Sequence, residues 1–119
     1  MAIAIGCISP HPPIIIPEIG GENLGQVRST VEAMKRLAAE VAASDPESIV
    51  VISPHSPGFS DAIAVKSAER LRGSFASFGA GHVSIEAEND LELVDAIARE
   101  AKEMGVPIAS LAERFSILA

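Results

Sequence analysis

A five-residue motif occurs twice in this chain, and each copy directly follows a short run of apolar residues. The two copies are Ser9-Pro10-His11-Pro12-Pro13 and Ser53-Pro54-His55-Ser56-Pro57. Proline fixes its own φ and restricts the residue before it, so neither apolar run continues as a strand through its motif. The repeat therefore predicts two strands that end in two similar, stiff loops, each carrying a histidine.

The segments around the two motifs predict a strand, a helix and a second strand. Ala2–Ile8 and Ser48–Ile52 are apolar almost throughout, which is typical of strands covered on both faces in a parallel sheet. From Leu24 to Val41 the apolar residues recur every three or four positions, which predicts an amphipathic helix that ends before Asp45-Pro46. A right-handed crossover then makes the two strands parallel and adjacent.

The second half of the chain contains three further strand-like segments. Ala62–Lys66 and Pro107–Leu111 are predicted as strands, and the weak alternation of His82–Ala87 predicts a short edge strand. The connection over residues 67–81 is polar and contains glycine, and its path cannot be predicted.

A second amphipathic helix is predicted between these strands. Asn89 is the expected N-cap, and the apolar stripe runs from Leu91 to Met104. Gly105 and Pro107 are expected to end the helix. Together the elements predict one layered α/β domain over residues 1–119, with a mostly parallel sheet flanked by helices.

Charge and cysteine content exclude several classes of protein. Nine Lys and Arg against sixteen Asp and Glu give a net charge of −7, which repels nucleic acid and anionic membrane surfaces. The sequence shows neither a membrane span nor a signal peptide. Cys7, predicted to be buried in the first strand, has no partner cysteine and fits a reducing compartment. We therefore expect a cytoplasmic protein.

The two histidines are the candidate metal ligands. In adjacent parallel strands both His11 and His55 lie at the carboxyl end of the sheet, where open α/β folds bind ligands. Two neutral imidazoles suit Fe(II), Mn(II) or Zn(II), and a carboxylate would complete a facial triad with open positions. The alternative is that both motifs only terminate strands, with the imidazoles hydrogen-bonded to nearby backbone.

Several residues near the motifs are secondary candidates, either to contact the substrate or to hydrogen-bond a metal ligand. Asp61 either orients an imidazole or is a solvated loop carboxylate, and Glu18 lies close in sequence but is typical of a surface residue. Phe59 packs either on a planar substrate or on its own loop. Ser56 completes this set, and the third histidine, His82, is not taken as a ligand. No catalytic residue is identified in the chain.

The residues of both motifs resemble a known family. Residues 8–20 (ISPHPPIIIPEIG), residues 50–57 (VVISPHSP) and Phe59-Ser60-Asp61 resemble the LigB superfamily, the catalytic subunits of class III extradiol ring-cleaving dioxygenases and their Memo-like relatives. The resemblance extends to LigB-like domains of the AmmeMemoRadiSam group, which also have a counterpart of residues 88–93. It implies that His11 and His55 bind a non-haem Fe(II) that opens catechol-type rings with O2.

The resemblance also implies what the chain lacks. It covers essentially the whole chain but about the first half of the family's domain, so the family's carboxylate ligand and acid/base histidines are expected beyond residue 119. The apolar ending Phe115–Ala119 is expected to continue into a further strand rather than to dock as a terminus. Unfinished sheet edges and this apolar ending predict self-association into a homo-oligomer.

Two other functions remain open. One is a non-catalytic, Memo-like module that binds metal or a partner without consuming oxygen. The other is a hydrolase in which zinc or manganese activates water at the same strand ends. The third ligand and the open coordination positions decide among these functions.

Overall fold

The computed structural model describes residues 2–55 and 58–112. The helices of this part are α1 (Pro17–Gly20), α2 (Arg28–Ala43) and α3 (Leu91–Glu103). The strands are β1 (Ile63–Lys66), β2 (Arg70–Phe75), β3 (Ala80–Glu88) and β4 (Ile108–Leu111). Three 3-10 segments accompany them, at Pro13–Ile15, Gly21–Val27 and Ala76–Phe78.

The described residues form two compact units. The first contains residues up to Val51 together with Phe78–Ala80, and the second contains residues 52–77 and 81–112 where these are described. The predicted α/β class is confirmed, because helices are combined with a two-stranded parallel sheet and a two-stranded antiparallel sheet. No helix in the described ranges has the length and apolar character needed to cross a membrane.

Helix α2 forms where the apolar periodicity predicts a helix, although it begins later. Leu24, the first residue of the predicted stripe, lies in the 3-10 segment Gly21–Val27, and the α-helix begins at Arg28. The half-buried side chains of α2 include the apolar stripe predicted from the sequence: Val31, Met34, Leu37 and Val41. An α-helix makes its backbone hydrogen bonds within itself, so local periodicity is sufficient to predict it.

The two apolar runs on either side of α2 are not strands in the described chain. Ala2–Ile8 and Ser48–Ile52 belong to neither sheet, and Ile8 and Ile52 are almost fully exposed. A strand, unlike a helix, takes its hydrogen bonds from a neighbouring strand. The prediction of two buried, adjacent parallel strands is therefore wrong for the described structure, and Cys7, predicted to be buried, is exposed.

A parallel pair forms instead between β1 and β4. Ile63 is opposite Ile108, and the Ser67 N–H extends the pairing by donating to the Leu111 carbonyl oxygen at 2.9 Å. Both strands lie where the sequence predicts them. Helix α3 lies between them in sequence. In the described residues, β1 and β4 are therefore the two parallel strands that are connected through a helix.

The connection that the sequence leaves without a predicted path contains most of an antiparallel hairpin. Strands β2 and β3 form the second sheet and are joined through the 3-10 segment Ala76–Phe78. Strand β3 confirms the edge strand predicted at His82–Ala87. Arg70 on β2 donates to a Glu86 carboxylate oxygen on β3 at 3.0 Å, and its second terminal nitrogen lies 3.6 Å from Glu88.

Helix α3 has well-formed ends. Asp90 is the N-cap, because its carboxylate accepts a hydrogen bond from the Leu93 N–H at 2.9 Å. At the other end Gly105 has φ +73°, which allows the Val106 N–H to donate to the Ala101 carbonyl at 2.8 Å. This is a Schellman ending, in which glycine adopts the left-handed conformation without a Cβ clash. The predicted C-terminus is confirmed, and the N-cap is one residue later than predicted.

Asn89, the expected N-cap, instead ties the end of β1 to the start of α3. Its side-chain amide donates to the carbonyl oxygens of Lys66 and Ala68, both at 2.9 Å. Its own N–H donates to the Glu69 carbonyl, also at 2.9 Å. A primary amide carries two donor hydrogens, so one side chain bonds both carbonyls of this turn.

Asn89→Asp separates this bridging role from a capping role. Aspartate caps a helix as well as asparagine does but donates no hydrogen bond to the two carbonyls. We expect Asn89→Asp to lower the free energy of unfolding by about 1–3 kcal/mol, at least as much as Asn89→Ala, in urea titrations followed by circular dichroism. If Asn89→Asp is as stable as the wild type, the two hydrogen bonds to the carbonyls do not contribute to stability, and this outcome would contradict the prediction.

Gly20 is required by a close approach of two backbone segments in the first unit. It is buried in α1, and a Cβ at this position would clash with the carbonyl oxygen of Ile14. Its backbone conformation, φ −69° and ψ −36°, is open to any residue, so the restriction is one of space alone.

Gly20→Ala should therefore lower the free energy of unfolding by about 1–3 kcal/mol, because the added methyl group has no space beside Ile14. Gly25→Ala is the matched control, because a Cβ there meets nothing within 4 Å. Urea midpoints of the two variants measure the difference. Equal midpoints would mean that Ile14 moves aside without cost.

Candidate metal centre

The first histidine loop is anchored to helix α2 just before His11. The Ser9 hydroxyl oxygen lies 3.0 Å from the Pro10 carbonyl oxygen and 3.2 Å from the Met34 sulfur on α2. Its single proton donates to one of these acceptors at a time, and thioether sulfur is the weaker acceptor. These contacts link the end of the first apolar run to the helix that follows it in sequence.

The chain turns sharply just after His11. Pro12 is extended, with φ −71° and ψ 131°, and Pro13 begins a 3-10 turn in which the Ile15 N–H donates to the Pro12 carbonyl at 3.1 Å. Proline suits the first position of such a turn, because its φ is already fixed and it has no N–H to satisfy. His11 thus lies on a short segment that is restrained on both sides.

The second histidine loop is restrained by its own serine. The His55 backbone N–H donates to the Ser53 hydroxyl oxygen at 3.2 Å, a local turn closed by a side chain. Pro54, between these two residues, disfavours a helical conformation at Ser53. The turn therefore holds the backbone at His55 without help from a neighbouring strand.

The serine that precedes each histidine by two positions has a structural role that the sequence reasoning missed. Ser9 contacts Pro10 and α2, whereas Ser53 accepts the hydrogen bond of its own histidine. The signal was present in the sequence, since serine recurs at the same place in both motifs.

The structure places the two candidate ligands in different units. His11 belongs to the first unit and His55 to the second, and both are exposed. His82, on β3, is exposed as well. The convergence of His11 and His55 on one point stays a prediction, because it rests on strands that the described chain does not form.

The secondary candidates lie on both units. Glu18 is exposed on α1 in the first unit, and Asp61 is exposed just before β1 in the second. Phe59, two residues before Asp61, is 48% exposed. Ser56 lies outside the described residues. Exposure leaves Glu18, Asp61 and Phe59 accessible to a ligand, and their roles stay predictions.

The donor set fits part of a metal site. Two accessible imidazoles supply nitrogen ligands of the kind that Fe(II), Mn(II) and Zn(II) accept. Within residues 2–55 and 58–112, however, no group of three His, Cys, Asp or Glu side chains is close enough to hold a metal ion. His11 and His55 therefore have the chemistry of two metal ligands, and the described residues do not identify the remaining ligands.

Two charged groups with shifted pKa values lie on the strands of the second unit. Burial lowers the pKa of Lys66 on β1. The hydrogen bond that Arg70 on β2 donates to the Glu86 carboxylate raises the pKa of Arg70, and the charges of Glu86 and Glu88 raise it further. These shifts reflect the packing and pairing of the sheets.

The chain matches a family model over most of its length. The model, described as the catalytic LigB subunit of aromatic ring-opening dioxygenase, matches residues 6–115. A curated protein of Clostridium acetobutylicum, Protein CA_C1420, is 33% identical over 98 residues, which cover 82% of this chain and 21% of that protein. The chain thus spans about a fifth of the length of this relative. No solved structure matches the chain.

Ser53→Ala tests the local turn at His55. Loss of the acceptor should raise the hydrogen-exchange rate of the His55 amide roughly 2- to 10-fold after correction for intrinsic rates, as measured by NMR. Ser53→Thr keeps a hydroxyl and serves as the control, with exchange close to wild type. Unchanged exchange in Ser53→Ala would mean that Pro54 alone restrains the turn.

Proposed function

The chain belongs to the LigB family, and on this premise we propose that it supplies two histidine ligands to a non-haem metal centre that opens catechol-type rings with dioxygen. The observation that carries the proposal is the family match over residues 6–115, which includes both Ser-Pro-His motifs. The family relationship is to ring-cleaving dioxygenases. Fe(II) is the metal we propose, and Zn(II) and Mn(II) are the others that this donor set accepts.

In this proposal His11 and His55 donate neutral imidazole nitrogens to the metal. Ser9 and Ser53 act as positioning residues, because they restrain the backbone beside each histidine. A carboxylate from outside the described residues completes the ligand set and leaves positions open for substrate. When bound, the metal supplies the template and redox chemistry through which the ring and dioxygen react.

Nearby residues are proposed to serve the substrate and the ligands. Phe59 offers a half-exposed aromatic face, which suits packing against a planar ring. Asp61 is proposed to accept a hydrogen bond from an imidazole N–H, which would fix the ring and raise its basicity as a ligand. Glu18 and Ser56 are the other candidates, either to contact the substrate or to hydrogen-bond a metal ligand.

The proposed substrates are a small aromatic diol and dioxygen, and the proposed location is the cytoplasm. We propose that residues 1–119 form part of a single LigB-like domain. The activity of the whole protein rests on the same proposal, because the chain spans 21% of its curated relative.

Anaerobic Fe(II) titration calorimetry tests the ligand assignment. His11→Ala and His55→Ala should each weaken Fe(II) binding by more than about 100-fold, since loss of an outer partner of a ligand alone costs 10- to 100-fold. His82→Ala is the matched control, because this histidine is also exposed but belongs to strand β3. Binding that survives both ligand substitutions would refute the assignment.

The same preparation separates the possible chemistries. With catechol and air, a ring-opening dioxygenase consumes oxygen in proportion to the substrate that disappears. A Memo-like module binds metal without oxygen consumption, and a hydrolase turns over esters or amides without it. Oxygen uptake that persists in His55→Ala would count against the proposed centre.

A further inference from the structure

Helix α2 contacts the segment before His11 through a residue for which the sequence predicts only a packing role. Met34 belongs to the half-buried apolar stripe of α2, and its sulfur lies 3.2 Å from the Ser9 hydroxyl oxygen, 25 residues away in the chain. A thioether sulfur is a weak hydrogen-bond acceptor, so the Ser9 hydroxyl has a partner on the helix. Ser9, His11 and Met34 all belong to the first unit.

The segment after His11 also lies beside α2. The 3-10 turn Pro13–Ile15 is adjacent to this 16-residue helix. Both flanks of His11 therefore meet the same helix, one through the turn and the other through Met34. The apolar run before Ser9 belongs to neither sheet of the described residues, so α2 is the regular element to which this flank is tied.

We infer that Met34 is a positioning residue for His11. It acts through Ser9, and α2 is the support on which the first histidine loop is held. The inference rests on the proposed function, because it takes His11 as a metal ligand. It adds a helix side chain to a site whose other residues lie in or near the two Ser-Pro-His motifs.

The second acceptor of the Ser9 hydroxyl shows what the contact with Met34 contributes. This acceptor is the Pro10 carbonyl oxygen, at 3.0 Å, and it belongs to the same loop as Ser9. A bond to Pro10 does not connect the loop to any helix. Without an acceptor at position 34 the exposed hydroxyl would donate to Pro10 or to water, so no buried group would be left unpaired. Loss of the contact should therefore loosen the loop at little cost in stability.

Two substitutions at position 34 separate positioning from packing. Met34→Leu conserves the apolar volume of the side chain but removes the acceptor. Met34→Gln has a side chain of similar length and supplies an amide oxygen, which is a stronger acceptor than thioether sulfur, but it is less apolar. A packing role ranks leucine above glutamine at this position, whereas a positioning role ranks glutamine above leucine.

Anaerobic Fe(II) titration calorimetry of the full chain measures the effect on metal binding. Met34→Leu should weaken Fe(II) binding roughly 3- to 10-fold, the effect of losing one neutral hydrogen bond, and Met34→Gln should stay within about 2-fold of the wild type. In a Ser9→Ala background both substitutions should change the affinity by less than about 2-fold, because the donor is absent.

The NMR order parameter of the His11 backbone amide measures the same restraint without metal. It should fall by about 0.1 or more in Met34→Leu and in Ser9→Ala, and it should keep its wild-type value in Met34→Gln. Leu37→Val is the matched control, because Leu37 is half-buried on the same stripe of α2. It should lower the urea midpoint without changing the order parameter of His11.

The outcomes separate this inference from the proposed function. If the wild-type chain does not bind Fe(II), the proposed function fails, and the order parameters decide whether Met34 holds the loop. An order parameter that is unchanged in Met34→Leu, or that falls further in Met34→Gln, means that Met34 only packs and overturns the inference. Wild-type Fe(II) affinity in Met34→Leu, in a chain that does bind Fe(II), overturns it as well.

Discussion

The need of every strand for a hydrogen-bonding neighbour decides which segments of this chain become regular structure. Helices α2 and α3 make their own backbone bonds and form where the apolar periodicity predicts them. Strands β1 and β4 form because each has the other beside it. The runs Ala2–Ile8 and Ser48–Ile52 have the composition of buried strands but no strand partner in the described chain, and most of their large apolar side chains are exposed.

Two side chains form hydrogen bonds with backbone groups at the end of β1 and at the start of α3. Asn89 bonds two carbonyls at the end of β1, and Asp90 caps α3 next to it. The sequence predicted Asn89 as the cap and did not predict the bridge. The division of roles has a chemical reason, since an amide donates hydrogen bonds whereas a carboxylate accepts them.

The candidate site is organised by local bonds rather than by the sheet. Serine hydroxyls and prolines restrain the backbone beside His11 and His55, although the strands predicted to present them are not formed. This explains how both motifs keep defined loops in different units. The family match over residues 6–115 includes both of these loops.

The sequence by itself determined the α/β class, helices α2 and α3, strands β1, β3 and β4, and the two Ser-Pro-His loops. Each of these follows from local periodicity or from the fixed φ of proline. Only the tertiary structure decided that the parallel pair is β1 with β4, that residues 70–75 form a strand, and that Asn89 bridges while Asp90 caps. These features depend on which backbone groups lie next to one another, and apolar composition alone does not specify a strand's neighbour.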